Sequence, residues 1–242
     1  MRQPSAISVD ANSSVAESHE RTGTKRLLVA ASLGTAIEHY DFFCYAFVAP
    51  IAFGTAFFPK MDMLAGTLAV YTTFAIGFAA RPLGGLVFGH FGDRIGRKIV
   101  LLITLLLRGS ASFLIGCLPT YARLNLLAPA LLVMLRFVQG FAFGGEYMNA
   151  VTLMLEAAPA QRRSLFASPI NASGPVGVIA ASGLIAMLTG VFGNKAFEEW
   201  GWRLPFLLSI VMIALGTYVR SQVDKSTLFR QPRDGFKMAP WG

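Results

Sequence analysis

Gly89-His90-Phe91-Gly92-Asp93-Arg94-Ile95-Gly96-Arg97-Lys98 separates two long apolar stretches. One runs over 64–88 and the other over 99–118, each near the ~20 residues that an α-helix needs to cross a bilayer. A short glycine-rich connection carrying Asp93, Arg94, Arg97 and Lys98 between two such helices marks one face of a membrane, because Lys and Arg collect in cytoplasmic loops.

Composition extends that reading to the whole chain. Of its 242 residues 54% are hydrophobic and 14% charged, whereas soluble domains carry roughly 25% charged residues. Twenty phenylalanines and a mean hydropathy of +0.55 point the same way. A soluble fold of this size would lack the charge to cover its surface. Further apolar spans lie at 27–49, 129–155, 165–190 and 203–219, so six are expected in all.

The basic residues outside these spans are asymmetric. Arg2, Arg21, Lys25, Arg26, the Arg94/Arg97/Lys98 group, Arg162, Arg163, Arg220, Lys225, Arg230, Arg233 and Lys237 fall on one side. Lys60, Arg123, Lys195 and the boundary residue Arg203 fall on the other. Both termini are therefore expected in the cytoplasm, in a multi-pass protein of a bacterial plasma (inner) membrane. The net charge of +8 is a topology signal, and nucleic acid is not expected as a partner. Residues 1–26 read as a disordered cytoplasmic tail, 27–220 as the membrane bundle and 221–242 as a basic cytoplasmic tail. Cys44 and Cys117 lie within spans and suggest neither a disulfide nor a metal site, and no cofactor is expected. No Gly-x-Ser-x-Gly, His-Glu-x-x-His or Cys/His cluster is present, which weighs against an enzyme.

Six such segments must form an all-α helical bundle, since lipid offers no partner for backbone groups. Gly85 with Gly89 and Gly140 with Gly144 are small residues at helical spacing, expected where helices approach closely. Arg81-Pro82-Leu83-Gly84-Gly85 in span two is echoed by Ser173-Gly174-Pro175-Val176-Gly177 in span five. Gly/Pro interruptions at matching places in two triplets of helices suggest a 3+3 inverted repeat around a central site.

Ionisable groups within the spans are the candidate functional residues, because charge in a bilayer is costly and usually faces a cavity. In span one Glu38, Asp41 and Tyr45 share an arc of roughly 60°, with His39 about 100° away. In span four Gln139 and Glu146 are nearly eclipsed, with Arg136 roughly 60–80° to one side. Arg136 and Glu146 stand about 15 Å apart along the helix, too far to pair directly. Glu38 and Asp41 are the expected partners of Arg136. Together with Arg81, which precedes Pro82 and could instead snorkel toward the cytoplasmic side, these residues form the candidate proton- or substrate-handling set. Arg108 interrupts the apolar run of span three, and nothing in that span pairs with it.

With these residues in hand the chain resembles the major facilitator superfamily. Gly89-x-x-x-Asp93-Arg94-x-Gly96-Arg97-Lys98 matches the loop joining that superfamily's second and third helices. More narrowly it is similar to the metabolite:proton symporters, among them carriers of dicarboxylates, α-ketoglutarate, shikimate, proline and betaine. The narrower likeness rests on Glu38-His39-Tyr40-Asp41-Phe42-Phe43, usually with Trp where His39 stands, and on Gly77 to Gly84. It continues through Arg136-Phe137-Val138-Gln139-Gly140 to Glu146, then Glu156 with Pro159 and Arg162/Arg163, and Trp200-Gly201-Trp202-Arg203-Leu204-Pro205-Phe206.

The resemblance implies the N-terminal six-helix half of an alternating-access carrier that moves a small organic acid or zwitterion with protons. It implies a role for Asp93 in closing a cytoplasmic gate, for Arg136 in coupling, and for Glu38 and Asp41 as proton acceptors. The family's carriers have two such halves, and this chain matches only the first. Tyr147, Met148 and Asn149 stand where small residues usually follow the glutamate, and Arg108 replaces an apolar residue. A truncated carrier is therefore expected, active with a separate C-terminal half or as a homodimer. The alternative is an inactive remnant of a transporter gene.

Overall fold

In the computed structural model residues 36–37, 39–157 and 163–223 are described. Glu38, Pro159, Arg162 and the expected tails, apart from the helical residues 221–223, lie outside them. The fold is all-helical among the described residues. Its membrane-length helices are α1 (His39–Phe57), α2 (Met63–Ile95), α3 (Arg97–Cys117), α4 (Leu127–Ala157) and α5 (Arg163–Phe192). A bent pair, Asn194–Gly201 and Arg203–Tyr218, meets at 45°; counted as one span it is the sixth, α6.

Two boundaries differ from the sequence reading. The apolar span is expected to end at 49, before Pro50, yet the helix continues through a π-helical turn, Ala49–Phe53, that holds the proline at its second position. Proline has no N–H to contribute, so the wider turn absorbs it and α1 reaches Phe57. At the other boundary, the decapeptide 89–98 is not a loop. α2 runs on to Ile95 and α3 begins at Arg97, with Gly96 alone between them. Gly96 holds φ +97, a conformation that a side chain disfavours, and its N–H donates back to the carbonyl of Gly92. At 33 residues α2 is about 50 Å long and overruns the ~30 Å hydrocarbon layer. Its last turns carry the exposed Asp93 and Arg94 at the end of the bundle.

Small residues set the crossings. A Cβ on Gly140 would overlap the backbone of Gly77, one on Gly144 that of Arg81, and one on Gly84 that of Phe141, so α2 and α4 touch backbone to backbone. Gly89, expected to share this role, has open space where its Cβ would be; the crossing lies one to three turns earlier. In the other triplet Gly177 of α5 leaves no room for a Cβ against His39 and Tyr40 of α1 and Ala36 just before it. The two Gly/Pro segments thus each meet the first helix of the opposite triplet, the relation that an inverted repeat requires.

The apolar core occupies the end of the bundle opposite Gly96. Phe53, Phe57, Trp202 and Phe206 are fully buried there, with edge-to-face contacts of 5.3 Å for Phe53–Phe57 and 5.2 Å for Phe53–Trp202. Outward-facing Leu64, Leu86, Ile179 and Val191 are exposed, as on a surface whose solvent is lipid.

Candidate functional site

Between that core and the charged end, three helices bring polar groups onto one carboxylate carried by a fourth. Asp41 of α1 accepts a hydrogen bond from Ser209 of α6 at 3.2 Å and another from Ser112 of α3. Gln139 of α4 donates through Nε2 to Asp41 Oδ2 at 3.4 Å and also to Ser112. Arg108 Nε of α3 lies 3.4 Å from the same Oδ2, and its Nη1 lies 3.7 Å from Glu146 Oε2. Asp41, Arg108, Ser112, Gln139, Glu146 and Ser209 are all buried. A carboxylate so far from water persists only when paired and hydrogen-bonded, and this one is both.

Arg136 takes a different place from the one expected. No ion pair joins it to Asp41. Its Nη1 donates to Gln139 Oε1 at 2.8 Å, which fixes the amide so that the NH2 group turns toward Asp41. Arg136 therefore reaches Asp41 through a relay. Its guanidinium sits over the Tyr45 ring, Cζ 3.6 Å from the centroid, and Tyr45 is held by Thr73 at 2.5 Å. Arg108 of α3 takes the direct contact that the sequence reading gave to Arg136.

Arg81 turns inward instead of snorkelling. Its Cζ is 4.3 Å from the Phe42 ring, 4.0 Å from Phe78 and 4.2 Å from Phe143. One narrow cavity is lined by Asp41, Phe42, Arg81, Arg108, Arg136, Gln139 and Phe143, with Gly77 and Gly140 opening its wall. Of the expected site residues, Asp41, Arg136, Gln139 and Arg81 therefore share one chamber. Glu146 touches it through Arg108, and Glu38 is outside the described residues. His39 packs beside Gly174 of α5, 3.3 Å from that glycine's Cβ position, and meets the chamber through the ring of Phe143, 6.3 Å between centroids. Gly89, Asp93, Arg94 and Gly96 sit together at the far end of α2, and α3 opens with Arg97 and Lys98.

Sequence reasoning singled out Arg108 without finding its partners, and missed Ser112 and Ser209. Ser112 follows Arg108 by four residues and so shares its helix face, a signal that was available. Ser209 offered none, because only the bend in α6 brings it to Asp41.

A family model described as Major Facilitator Superfamily matches residues 31–237. The inner membrane metabolite transport protein YhjE of Escherichia coli (strain K12) is 44% identical over 206 residues, 85% of this chain and 47% of that protein. The shikimate transporter of the same strain is 40% identical over 207 residues, 86% of this chain and 47% of the relative. The proline/betaine transporter of Salmonella typhimurium is 37% identical over 210 residues, covering 87% and 42%. The chain spans about half the length of these relatives. Among solved structures, the proton:xylose symporter XylE bound to 6-bromo-6-deoxy-D-glucose superposes with a TM-score of 0.74. That match has 17% identity over 84% of this chain and 45% of XylE, a likeness of fold.

Proposed function

The chain belongs to the major facilitator superfamily, and from that premise we propose that it forms the N-terminal half of a carrier that moves a small organic acid or zwitterion with protons. The names of its relatives, as metabolite, shikimate and proline/betaine transporters, support that substrate range. The observation that carries the reading is the convergence of Arg108, Ser112, Gln139 and Ser209 on the buried carboxylate of Asp41. A group held from α3, α4 and α6 at once reports its protonation to three helices. Neutralising Asp41 would weaken its pairing with Arg108 and slacken those contacts together, while Arg136 follows through Gln139. Alternating access then means this half rocking against a second one about a central site, with Asp93 and the basic residues at the α2–α3 junction acting as a cytoplasmic latch. The setting is the plasma membrane, with both termini cytoplasmic.

The experiment is uptake into proteoliposomes under an imposed proton gradient. The chain is reconstituted alone and with the remaining C-terminal part of its 44%-identical relative. Labelled shikimate, succinate, proline and glycine betaine are the substrates. Gradient-driven uptake of one of them, requiring the second part and abolished by Asp41→Asn or Arg136→Ala, is the expected result. Uptake by the chain alone would point to a homodimer. No uptake in any arm, or uptake indifferent to collapse of the gradient, overturns the reading, and the first of these is what an inactive remnant would give.

A further inference from the structure

We propose that Arg81 and Arg136 together form a receptor for the carboxylate of a net-anionic organic acid, so that the cargo is an acid and not a zwitterion. This deepens the carrier reading above and rests on it.

The argument starts from charge. Among the described residues the two buried carboxylates at this site, Asp41 in the chamber wall and Glu146 behind Arg108, stand within ion-pair distance of one cation, Arg108. Arg81 and Arg136 have no ion pair among the described residues. Each also buries two guanidinium nitrogens, Nε and Nη2, with no hydrogen-bond partner. Buried donors left unmade are costly and uncommon in native proteins. Arg136 spends Nη1 on Gln139, so its two unsatisfied donor nitrogens, Nε and Nη2, are the ones a carboxylate would take.

Geometry agrees with charge. The two guanidiniums approach the same ring, Phe42, at 4.3 Å and 5.7 Å, and both line the same cavity. Gly77 keeps that space open, since even a Cβ there would stand 3.4 Å from Arg136 Nη2. Arginine's planar fork fits a carboxylate with two parallel bonds, and aromatic faces hold the cations without consuming their donors. An incoming ammonium would meet the opposite situation. The acidic groups are already engaged by Arg108, and two further cations would repel it. Binding a carboxylate to Arg136 would also disturb its bond to Gln139, and through it the Asp41 cluster, which links cargo to the proton site.

Equilibrium binding to the full chain in lipid nanodiscs tests this without a second half or a proton gradient. The probes are acetate, succinate, benzoate and shikimate, with the amides of the first three, and proline and glycine betaine as zwitterions. At least one acid is expected to bind at millimolar concentration or below, with its amide and the zwitterions at least about tenfold weaker. Arg81→Gln and Arg136→Gln should each weaken that acid by about tenfold or more, while Arg81→Lys and Arg136→Lys retain part of the affinity. An amide that binds as well as its acid, a zwitterion that binds best, or no binding by any acid overturns the proposal, and the amide comparison needs no variant to fold. Acid binding without transport would sink the carrier reading and leave this site standing. Transport of a zwitterion would do the reverse.

Discussion

Arg108 on α3 stands between Asp41 on α1 and Glu146 on α4, its Nε 3.4 Å from the first carboxylate and its Nη1 3.7 Å from the second. One buried cation thus serves two buried anions on different helices. Removing either carboxylate leaves the other to hold the arginine, whereas removing the arginine leaves two anions without it in a low-dielectric interior. The three-helix contact is therefore most sensitive at its centre.

Replacement of Arg108 by leucine is expected to destabilise the bundle by about 3–5 kcal/mol, the usual cost of stripping one partner from a buried pair. From sequence alone leucine would ease insertion of this apolar span unless the arginine has a partner, and Asp41 and Glu146 are such partners. Thermal unfolding in detergent distinguishes the two. A lower midpoint for Arg108→Leu, partly restored in the double variant with Asp41→Asn, is the expected pattern. An unchanged or higher midpoint would mean that the pair contributes nothing.

The α2–α4 crossing gives a paired expectation. Gly144→Ala places a methyl against the Arg81 backbone, so the helices must part at a cost of about 1–3 kcal/mol. Gly89→Ala, on the same α2 but with open space around it, should be neutral or slightly stabilising, since alanine is the better helix former. Both follow from chemical denaturation of the two variants side by side. Equal losses would refute the assignment of the crossing to the 77–84 and 140–144 segments.

Much of this architecture was legible in the sequence, and what was not has physical reasons. The spans follow from hydropathy because lipid imposes one length and one backbone solution. The buried placement of Asp41, Arg136 and Gln139 follows from helical periodicity within single helices. Which cation meets which anion does not, because it depends on the relative rotation of α1, α3 and α4, and periodicity says nothing of rotation between helices. Hence the sequence offers Glu38 and Asp41 as partners of Arg136 and shows none for Arg108 within its own span, whereas Arg108 holds Asp41 and Arg136 acts through Gln139. The charged decapeptide was read as a loop because its residues are polar. Polarity reports where α2 leaves the membrane, and only the positive φ of Gly96 marks where the helix ends.

Gly96 is the next testable point. Its φ of +97 and ψ of 130 lie where a side chain costs about 1–3 kcal/mol. Gly96→Ala should loosen the α2–α3 junction more than it loosens the distant aromatic core at Phe53 and Trp202. Hydrogen exchange followed by mass spectrometry reads both regions in one sample. Faster exchange confined to peptides around 89–100 is expected. Uniform acceleration would show that the link is not a local device.

The relay from Arg136 to Asp41 makes a functional prediction that stability data cannot replace. Gln139→Leu keeps the volume roughly constant but removes the acceptor of Arg136 Nη1 and a donor to both Asp41 and Ser112. Losing these bonds in a buried site should cost about 1–3 kcal/mol of stability, which a membrane bundle can tolerate. The sharper effect lies in coupling. With Gln139 gone, cargo at Arg136 and a proton on Asp41 no longer share a hydrogen-bonded neighbour. In the two-part reconstitution, substrate exchange at equal pH on both sides should persist, while accumulation driven by a proton gradient falls about tenfold or more, equivalent to some 1.4 kcal/mol of lost coupling. Equal losses of exchange and accumulation would assign Gln139 to packing alone, and full retention of both would remove the relay from the mechanism.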